Sequence, residues 1–128
     1  MLRLLNDVAT YVNTQCGAGD WTQVFIGNMP DTPVACVAVY PAESPVLSGE
    51  VVQRVGFRLV LRGAPHAYPA TLRRVELVYE ALENKWNQLP NVIGRIAPQH
   101  RVGEPFRDSN GNLNWSLAFM CTTYVSTI

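Results

Sequence analysis

Hydrophobic residues recur along this chain at two different periods. In residues 3–15, and again after Pro69, apolar positions lie three or four residues apart, which predicts two amphipathic helices. Pro69 fits the first turn of the second helix, where its missing N–H is not needed, and the helix is expected to end before Pro90. The apolar stripe of this second helix consists of Leu72, Val75, Val78, Tyr79, Leu82 and Trp86.

A period of two is clearest in residues 51–62, which predict a long strand. One face of this strand is apolar and the other carries an arginine stripe. Shorter apolar runs predict further strands at residues 22–26, 34–40, 92–98, 101–106 and 115–124. Asn110-Gly111 favours a tight turn within residues 108–112, so the last two strands are expected to form a hairpin.

These elements predict an α+β fold in a single domain over residues 1–128. We expect a mostly antiparallel sheet of about five to six strands, with an N-terminal helix and one central amphipathic helix. Such a sheet can leave one surface open, which suits a subunit of an assembly better than a self-contained pocket.

The composition of the chain argues against nucleic-acid binding, membrane insertion and a disulfide framework. Ten basic and ten acidic residues cancel, so we expect no specific nucleic-acid binding. No apolar run reaches the roughly 18 residues of a membrane span, and Asn6 and Asp7 interrupt the first apolar run, so neither membrane insertion nor an export signal is expected. The three cysteines, Cys16, Cys36 and Cys121, lack C-x-x-C spacing and are expected to be reduced and packed.

The sequence offers no catalytic, cofactor-binding or metal-binding residues. His66 and His100 lie in separate turn regions without a second ligand at suitable spacing. The turn at Asp108 imitates the start of a calcium loop, but glycine falls at the fourth position and Phe119 stands where the bidentate Glu belongs. Since no hydrolase or metalloenzyme motif occurs either, we expect a protein that is not an enzyme.

Two charged stripes are more informative than the net charge. Arg54, Arg58 and Arg62 share one strand face, whereas Glu76, Glu80 and Glu83 share one helix face. Both stripes could be solvated faces of little energetic weight. Alternatively, the arginines of one subunit could meet the glutamates of the next in a ring. Trp21 and Trp86 could anchor such contacts, although the stripe position of Trp86 favours core packing.

Residues 41–50 contain two prolines, two serines and a glycine, and predict an exposed loop near the upper end of ordinary connection lengths. Long loops on compact domains often contact partners. The residues expected to form this contact are Ser44, Pro45, Val46, Leu47 and Ser48.

Several segments taken in order resemble a known family. They are LNDVATYV (5–12), VFIGNMPDTP (24–33), CVAVY (36–40), VGFRLVLR (55–62), the helix containing Ala81-Leu82, and PFRDSNG (105–111). The collinear set resembles tailed-bacteriophage minor capsid proteins of the tail-terminator type and covers nearly the whole chain.

The resemblance implies a small α+β subunit that forms a ring, expected to be a hexamer, at the head-proximal end of a phage tail. It implies a virion protein made in the host cytoplasm that stops tail-tube polymerisation and mediates head–tail joining. Its partners would be the tail-tube protein and the head-completion or neck proteins. Two alternatives remain: a head-completion or neck connector protein, and a small cytosolic ligand-binding module or enzyme whose pocket is assembled from distant residues.

Overall fold

The computed structural model of the protein describes residues 1–16, 24–42 and 52–124. In chain order the described elements are α1 (Leu2–Cys16), β1 (Val24–Ile26), β2 (Cys36–Ala42), β3 (Val52–Gly63), α2 (Tyr68–Leu82), β4 (Val92–Pro98), β5 (Phe106–Arg107) and β6 (Leu113–Tyr124). The strands form one sheet in the order β1-β2-β3-β6-β4, with β5 also pairing with β6. The pairing of β1 with β2 is parallel and the other strand pairings are antiparallel, which confirms the predicted α+β fold with a mostly antiparallel sheet.

The long central strands build the core because their alternation is in register. In the β3–β6 ladder, Phe57 lies opposite Phe119 and Leu59 opposite Leu117, and all four side chains are buried. The Phe57 and Phe119 rings stack at a centroid distance of 5.5 Å. Burying each such side chain stabilises the fold by about 1.5–3 kcal/mol relative to leaving it in water.

Both helices cover this same apolar face of the sheet. Leu4, Val8 and Val12 of α1 and Val75 and Val78 of α2 belong to the core cluster, as their 3.6-residue spacing predicts. The described part of the chain therefore forms two layers, one of helices and one of strands, with α1 and α2 side by side on one face of the sheet.

The second helix is shorter than its apolar stripe. It ends at Leu82, where Glu83 is the C-cap and Asn84 adopts a φ of 54°. The chain then runs antiparallel to β4, since the N–H of Asn84 donates to the Ile96 carbonyl and the N–H of Ile96 donates to the Lys85 carbonyl. The expected core position of Trp86 is wrong: its side chain is 62% exposed, because it lies beyond the helix in this added ladder.

Several strand bounds differ from the sequence-based expectation, including the end of β3 at Gly63 instead of residue 62 and the start of β6 at Leu113 instead of residue 115. Strand β2 runs through Pro41 and Ala42, which were assigned to the following loop, and it begins at Cys36 instead of residue 34. The strand expected over residues 101–106 is confined to β5, because residues 101–105 make no ladder with β6. Strand β4 has the expected bounds.

The predicted hairpin turn between β5 and β6 is present. The Asp108 carboxylate accepts hydrogen bonds from the backbone N–H groups of Asn110 and Asn112, at 2.9 and 3.0 Å, and Gly111 supplies a φ of 78°. Desolvation alone would raise the pKa of Asp108, but these hydrogen bonds and one from the Asn114 amide outweigh it and lower the pKa. The carboxylate that would be the first ligand of a calcium loop, Asp108, thus accepts hydrogen bonds within the turn.

The cysteines are free thiols, as expected. Cys36 and Cys121 are buried and Cys16 is half-buried. Burial raises the pKa of the Cys121 thiol to about 11, although the nearby Arg54 charge acts in the opposite direction. These environments favour packed, unreactive thiols.

Candidate functional site

The face of the sheet opposite the helices is the most distinctive surface of the described chain. Its side chains come from the alternate positions of β2, β3 and β6, which the register places next to one another. We define the open face as the half-exposed or exposed residues Tyr40, Arg54, Arg58, Val60, Ser116, Ala118, Met120 and Thr122. The surface combines two arginines with small and apolar side chains.

Apolar side chains continue the open face at one end. Val52 lies opposite Tyr124 in the ladder, and Ile93 lies opposite Thr122. Val52 is 36% exposed, Tyr124 47% and Ile93 37%. A row of exposed large hydrophobic residues beside arginines has the composition of a contact surface, since arginine and tyrosine are enriched in interfaces.

Two predicted arginines lie on the open face and present their charge to its surface. Arg54 and Arg58 are exposed. The guanidinium carbon of Arg58 lies 6.0 Å from the centroid of the Tyr40 ring, its cross-strand neighbour. This cation–π contact restricts the arginine without consuming its hydrogen-bond donors.

The third arginine of the stripe has a different environment. Arg62 is 9% exposed. Its Nε donates to the Val34 carbonyl at 2.8 Å, and its Nη2 donates to the carbonyls of Pro33 at 2.9 Å, of Asp31 at 3.3 Å and of Pro30. Arg62 therefore holds residues 30–34 over one end of the sheet face, and its donors face the chain itself instead of a neighbour.

The acidic stripe lies on the outward side of α2. Glu76 and Glu80 are exposed, and Leu77 between them is 49% exposed. With Arg73 one turn earlier, these residues form the outer face of α2, defined here as Arg73, Glu76, Leu77 and Glu80.

Glu83 differs from the other two predicted glutamates. It follows the last residue of α2, is half-buried and is hydrogen-bonded to the Tyr79 hydroxyl. Desolvation raises the pKa of Tyr79, and the neighbouring Glu83 carboxylate raises it further, whereas Arg101 has the opposite effect. The carboxylate of Glu83 is thus engaged within the subunit.

The open face and the outer face of α2 lie on opposite sides of the two-layer structure, because α2 packs on the covered face of the sheet. A second copy could place its α2 against the open face of the first only in a head-to-tail arrangement. Such heterologous contacts produce rings when the rotation between copies closes, and filaments when it does not.

Other predicted contact residues lie outside the described residues. These are Trp21 and the loop residues Ser44, Pro45, Val46, Leu47 and Ser48. Trp86, which the sequence pattern assigned to the core, is exposed beside Gly94, whose added Cβ would lie 3.7 Å from the indole.

Two other kinds of site are absent from the described ranges, a metal centre and a membrane-spanning helix. Residues 1–16, 24–42 and 52–124 contain no group of three or more His, Cys, Asp or Glu side chains placed to hold a metal ion. Neither described helix is long and apolar enough to cross a membrane.

Comparison with known proteins does not assign the chain to a family. No protein-family model matches the sequence, and no curated protein matches it.

Proposed function

We propose that this chain is a structural virion protein, a tail terminator that acts at the head–tail junction of a tailed bacteriophage. Its subunits form a ring, expected to be a hexamer, on the head-proximal end of the tail. The ring caps the growing tube and offers a surface to the head-completion or neck proteins. Its role is associative and not enzymatic.

The observation that supports this proposal best is the pair of complementary surfaces on opposite sides of one subunit. Arg54 and Arg58 on the open face carry positive charge, and Glu76 and Glu80 on the outer face of α2 carry negative charge. In a head-to-tail ring each subunit uses both surfaces, so that every arginine pair meets a glutamate pair. Opposite potentials of this kind fix the register of an interface and exclude wrong partners.

Charge alone would not hold such a ring together. An exposed ion pair contributes only about 0.2–1 kcal/mol. The apolar residues beside the charges therefore matter: Leu77 is exposed on α2, and Ala118 and Met120 are half-exposed on the open face. Burial of this apolar surface would supply most of the free energy of association, at about 25 cal/mol per Å².

The neutral net charge is compatible with a ring around a DNA passage. Affinity for phosphates depends on a surplus of lysine and arginine, and this chain has ten basic and ten acidic residues. A channel protein with no surplus positive charge would let DNA pass without retaining it.

Charge reversal at the open face is expected to prevent assembly without unfolding the subunit. In Arg58→Glu, an attraction to Glu76 or Glu80 of the neighbour becomes a repulsion, and like charges brought together at an interface cost up to several kcal/mol. We expect at least a tenfold loss in the association constant at each interface, or about 1.4 kcal/mol. Sedimentation velocity and complementation of a phage that lacks the gene would measure this loss.

The charge-swapped variant Arg58→Glu/Glu80→Arg is the matched test, because it restores opposite charges across the same contact. It should recover assembly and complementation, whereas Lys85→Glu, a reversal at an exposed residue that follows α2, should leave both intact. Normal assembly by Arg58→Glu alone would contradict the pairing of these two surfaces.

The biological role is tested by inactivating the gene in the phage or prophage that carries it and imaging the particles by electron microscopy. A terminator predicts overlong or length-heterogeneous tails that do not join filled heads. Normal-length free tails beside defective heads would assign the protein to the capsid side of the neck instead. Wholly normal virions would overturn both structural roles and favour a small ligand-binding module or enzyme.

A further inference from the structure

A cleft lies beside α1, and none of its lining residues belongs to the open face or to the outer face of α2. It is formed between α1 and residues 88–90, the segment that leads into β4, and has a volume of about 240 Å³. Its lining includes Asp7, Tyr11 and Thr14 of α1 and the side chains of Gln88, Leu89 and Pro90. At roughly 30 Å³ per water, this volume corresponds to roughly eight waters, enough for a small polar group on a short alkyl stem.

Several hydrogen-bond donors in the cleft are bonded to backbone carbonyls of the protein itself. The Tyr11 hydroxyl donates to the Ala81 carbonyl at 2.8 Å, and the Thr14 hydroxyl donates to the Thr10 carbonyl at 2.9 Å. The Gln88 amide donates to the Trp86 carbonyl at 3.2 Å. Oxygen lone pairs therefore remain, and a ligand that supplies several N–H donors would satisfy them.

Asp7 adds a negative charge to these acceptors. Its Oδ2 is buried and receives no hydrogen bond from the described residues. Desolvation raises the pKa of the Asp7 carboxyl, although the charge of Arg3, one turn earlier on α1, opposes the shift. Asp7 nevertheless lines the cleft and is half-buried, so a cation bound in the cleft would lie beside its carboxylate and stabilise the charge.

The apolar wall of the cleft favours one kind of cation. The Tyr11 ring, the buried Leu89 side chain and Pro90 offer flat or apolar surface beside the acceptors. A guanidinium is planar, weakly hydrated and able to stack on an aromatic ring while its five N–H groups donate in plane. An ammonium is compact and strongly hydrated, and loses more on leaving water.

We propose that the cleft between α1 and residues 88–90 binds an alkylguanidinium group, the chemistry shared by an arginine side chain of another protein and a free small guanidine. Asp7 pairs with the charge, the oxygens of Thr14 and Gln88 accept its N–H groups, the Tyr11 ring stacks on the guanidinium plane, and Leu89 contacts the stem. This site is independent of the proposed ring, since it uses neither of the two surfaces assigned to subunit contacts.

The experiment is a titration of the ¹⁵N-labelled protein with agmatine, followed by ¹H–¹⁵N correlation spectra. We expect saturable shifts in the amides of α1 and residues 88–90. Asp7→Asn should weaken binding at least tenfold, whereas Asp31→Asn, which neutralises an exposed aspartate in residues 30–34, should not change it. Gln88→Leu removes an acceptor, keeps the Asp7 carboxylate and should also weaken binding. This second variant tests the proposal even if Asp7→Asn does not fold.

Two comparison ligands complete the design. N-butylurea, which keeps the four-carbon stem and lacks both positive charges of agmatine, should bind at least tenfold more weakly than agmatine. N-acetyl-arginine methylamide should bind as tightly as agmatine if the natural ligand is an arginine side chain, and more weakly if it is a free guanidine. The proposal is overturned if agmatine gives no saturable shifts, if butylurea binds equally well, or if both cleft variants bind agmatine like the original protein.

Discussion

Replacing Gly63 with alanine is expected to destabilise the protein by about 2–4 kcal/mol, because this substitution overpacks a contact between a strand and a helix. Gly63 is the last residue of β3, and α2 returns over it after only four residues, 64–67. A Cβ at position 63 would lie 1.9 Å from Oγ1, 2.7 Å from Cγ2 and 2.8 Å from Cβ of Thr71. All three distances are shorter than real Cβ contacts, and Thr71 is buried in the first turn of α2.

Urea unfolding monitored by circular dichroism would measure the loss, and Gly103→Ala is the matched control. A Cβ at Gly103 would meet no heavy atom within 4 Å, so we expect a change within about 0.5 kcal/mol there. In the Thr71→Ala background two of the three clashing atoms are absent, so Gly63→Ala should cost less. Equal costs in both backgrounds would show that Thr71 is not the cause.

Thr71→Ala by itself is informative for a separate reason. The Thr71 hydroxyl is buried and has no hydrogen-bond partner among the described residues. An unsatisfied buried hydroxyl costs about 1–3 kcal/mol, which offsets the packing lost on truncation. The small Thr71 side chain and the absence of a Cβ at Gly63 let α2 pack close to β3. This close packing offsets the cost of the unsatisfied Thr71 hydroxyl.

The period of the hydrophobic residues correctly predicted the elements in which buried and exposed positions alternate regularly. The alternation of β3 and the 3.6-residue stripes of α1 and α2 identified the core residues, since burial on one face of a regular element leaves a regular pattern. The hairpin at Asp108 was predictable from turn chemistry, because its hydrogen bonds are made within five residues.

The features that were missed depend on partners distant in sequence. Trp86 continues the α2 stripe at the right spacing, but hydrogen bonds from residues 84–87 to β4 end the helix before it. Arg62 has the strand position of a solvated arginine, yet its partners are carbonyls 28 to 32 residues earlier. Neither outcome could be derived from local pattern, because it depends on which segments meet in the folded chain.

The candidate interface shows the same division. The sequence placed Arg54 and Arg58 on one strand face and Glu76 and Glu80 on one helix face, and both placements hold in the structure. The sequence alone did not show that Arg62 is bound to the carbonyls of residues 30–34, or that Glu83 is hydrogen-bonded to Tyr79. It also did not show that the two charged surfaces lie on opposite sides of the subunit. Surfaces on opposite sides of the subunit are what the proposed head-to-tail ring requires.

Truncating Arg62 to alanine is expected to lower the free energy of unfolding by about 2–4 kcal/mol. The guanidinium donates to the carbonyls of Pro30, Asp31, Pro33 and Val34, and a hydrogen bond from a charged donor is worth about 1.5–3 kcal/mol. The loss is smaller than the sum of these bonds, because Asp31, Pro33 and Val34 are exposed and water can reach their carbonyls. Thermal unfolding should shift down by about 10 °C for a chain of this size.

Arg58→Ala is the matched control for Arg62→Ala, since it removes the same side chain from the same face of β3 at an exposed position. We expect a change within about 0.5 kcal/mol for Arg58→Ala. Arg62→Lys should be intermediate, because one ammonium group cannot reproduce donation from both Nε and Nη2. A slowly exchanging Nε–H resonance of Arg62 would report the intact contacts directly. Equal stability of the Arg62→Ala and Arg58→Ala variants would show that residues 30–34 hold their place without this side chain.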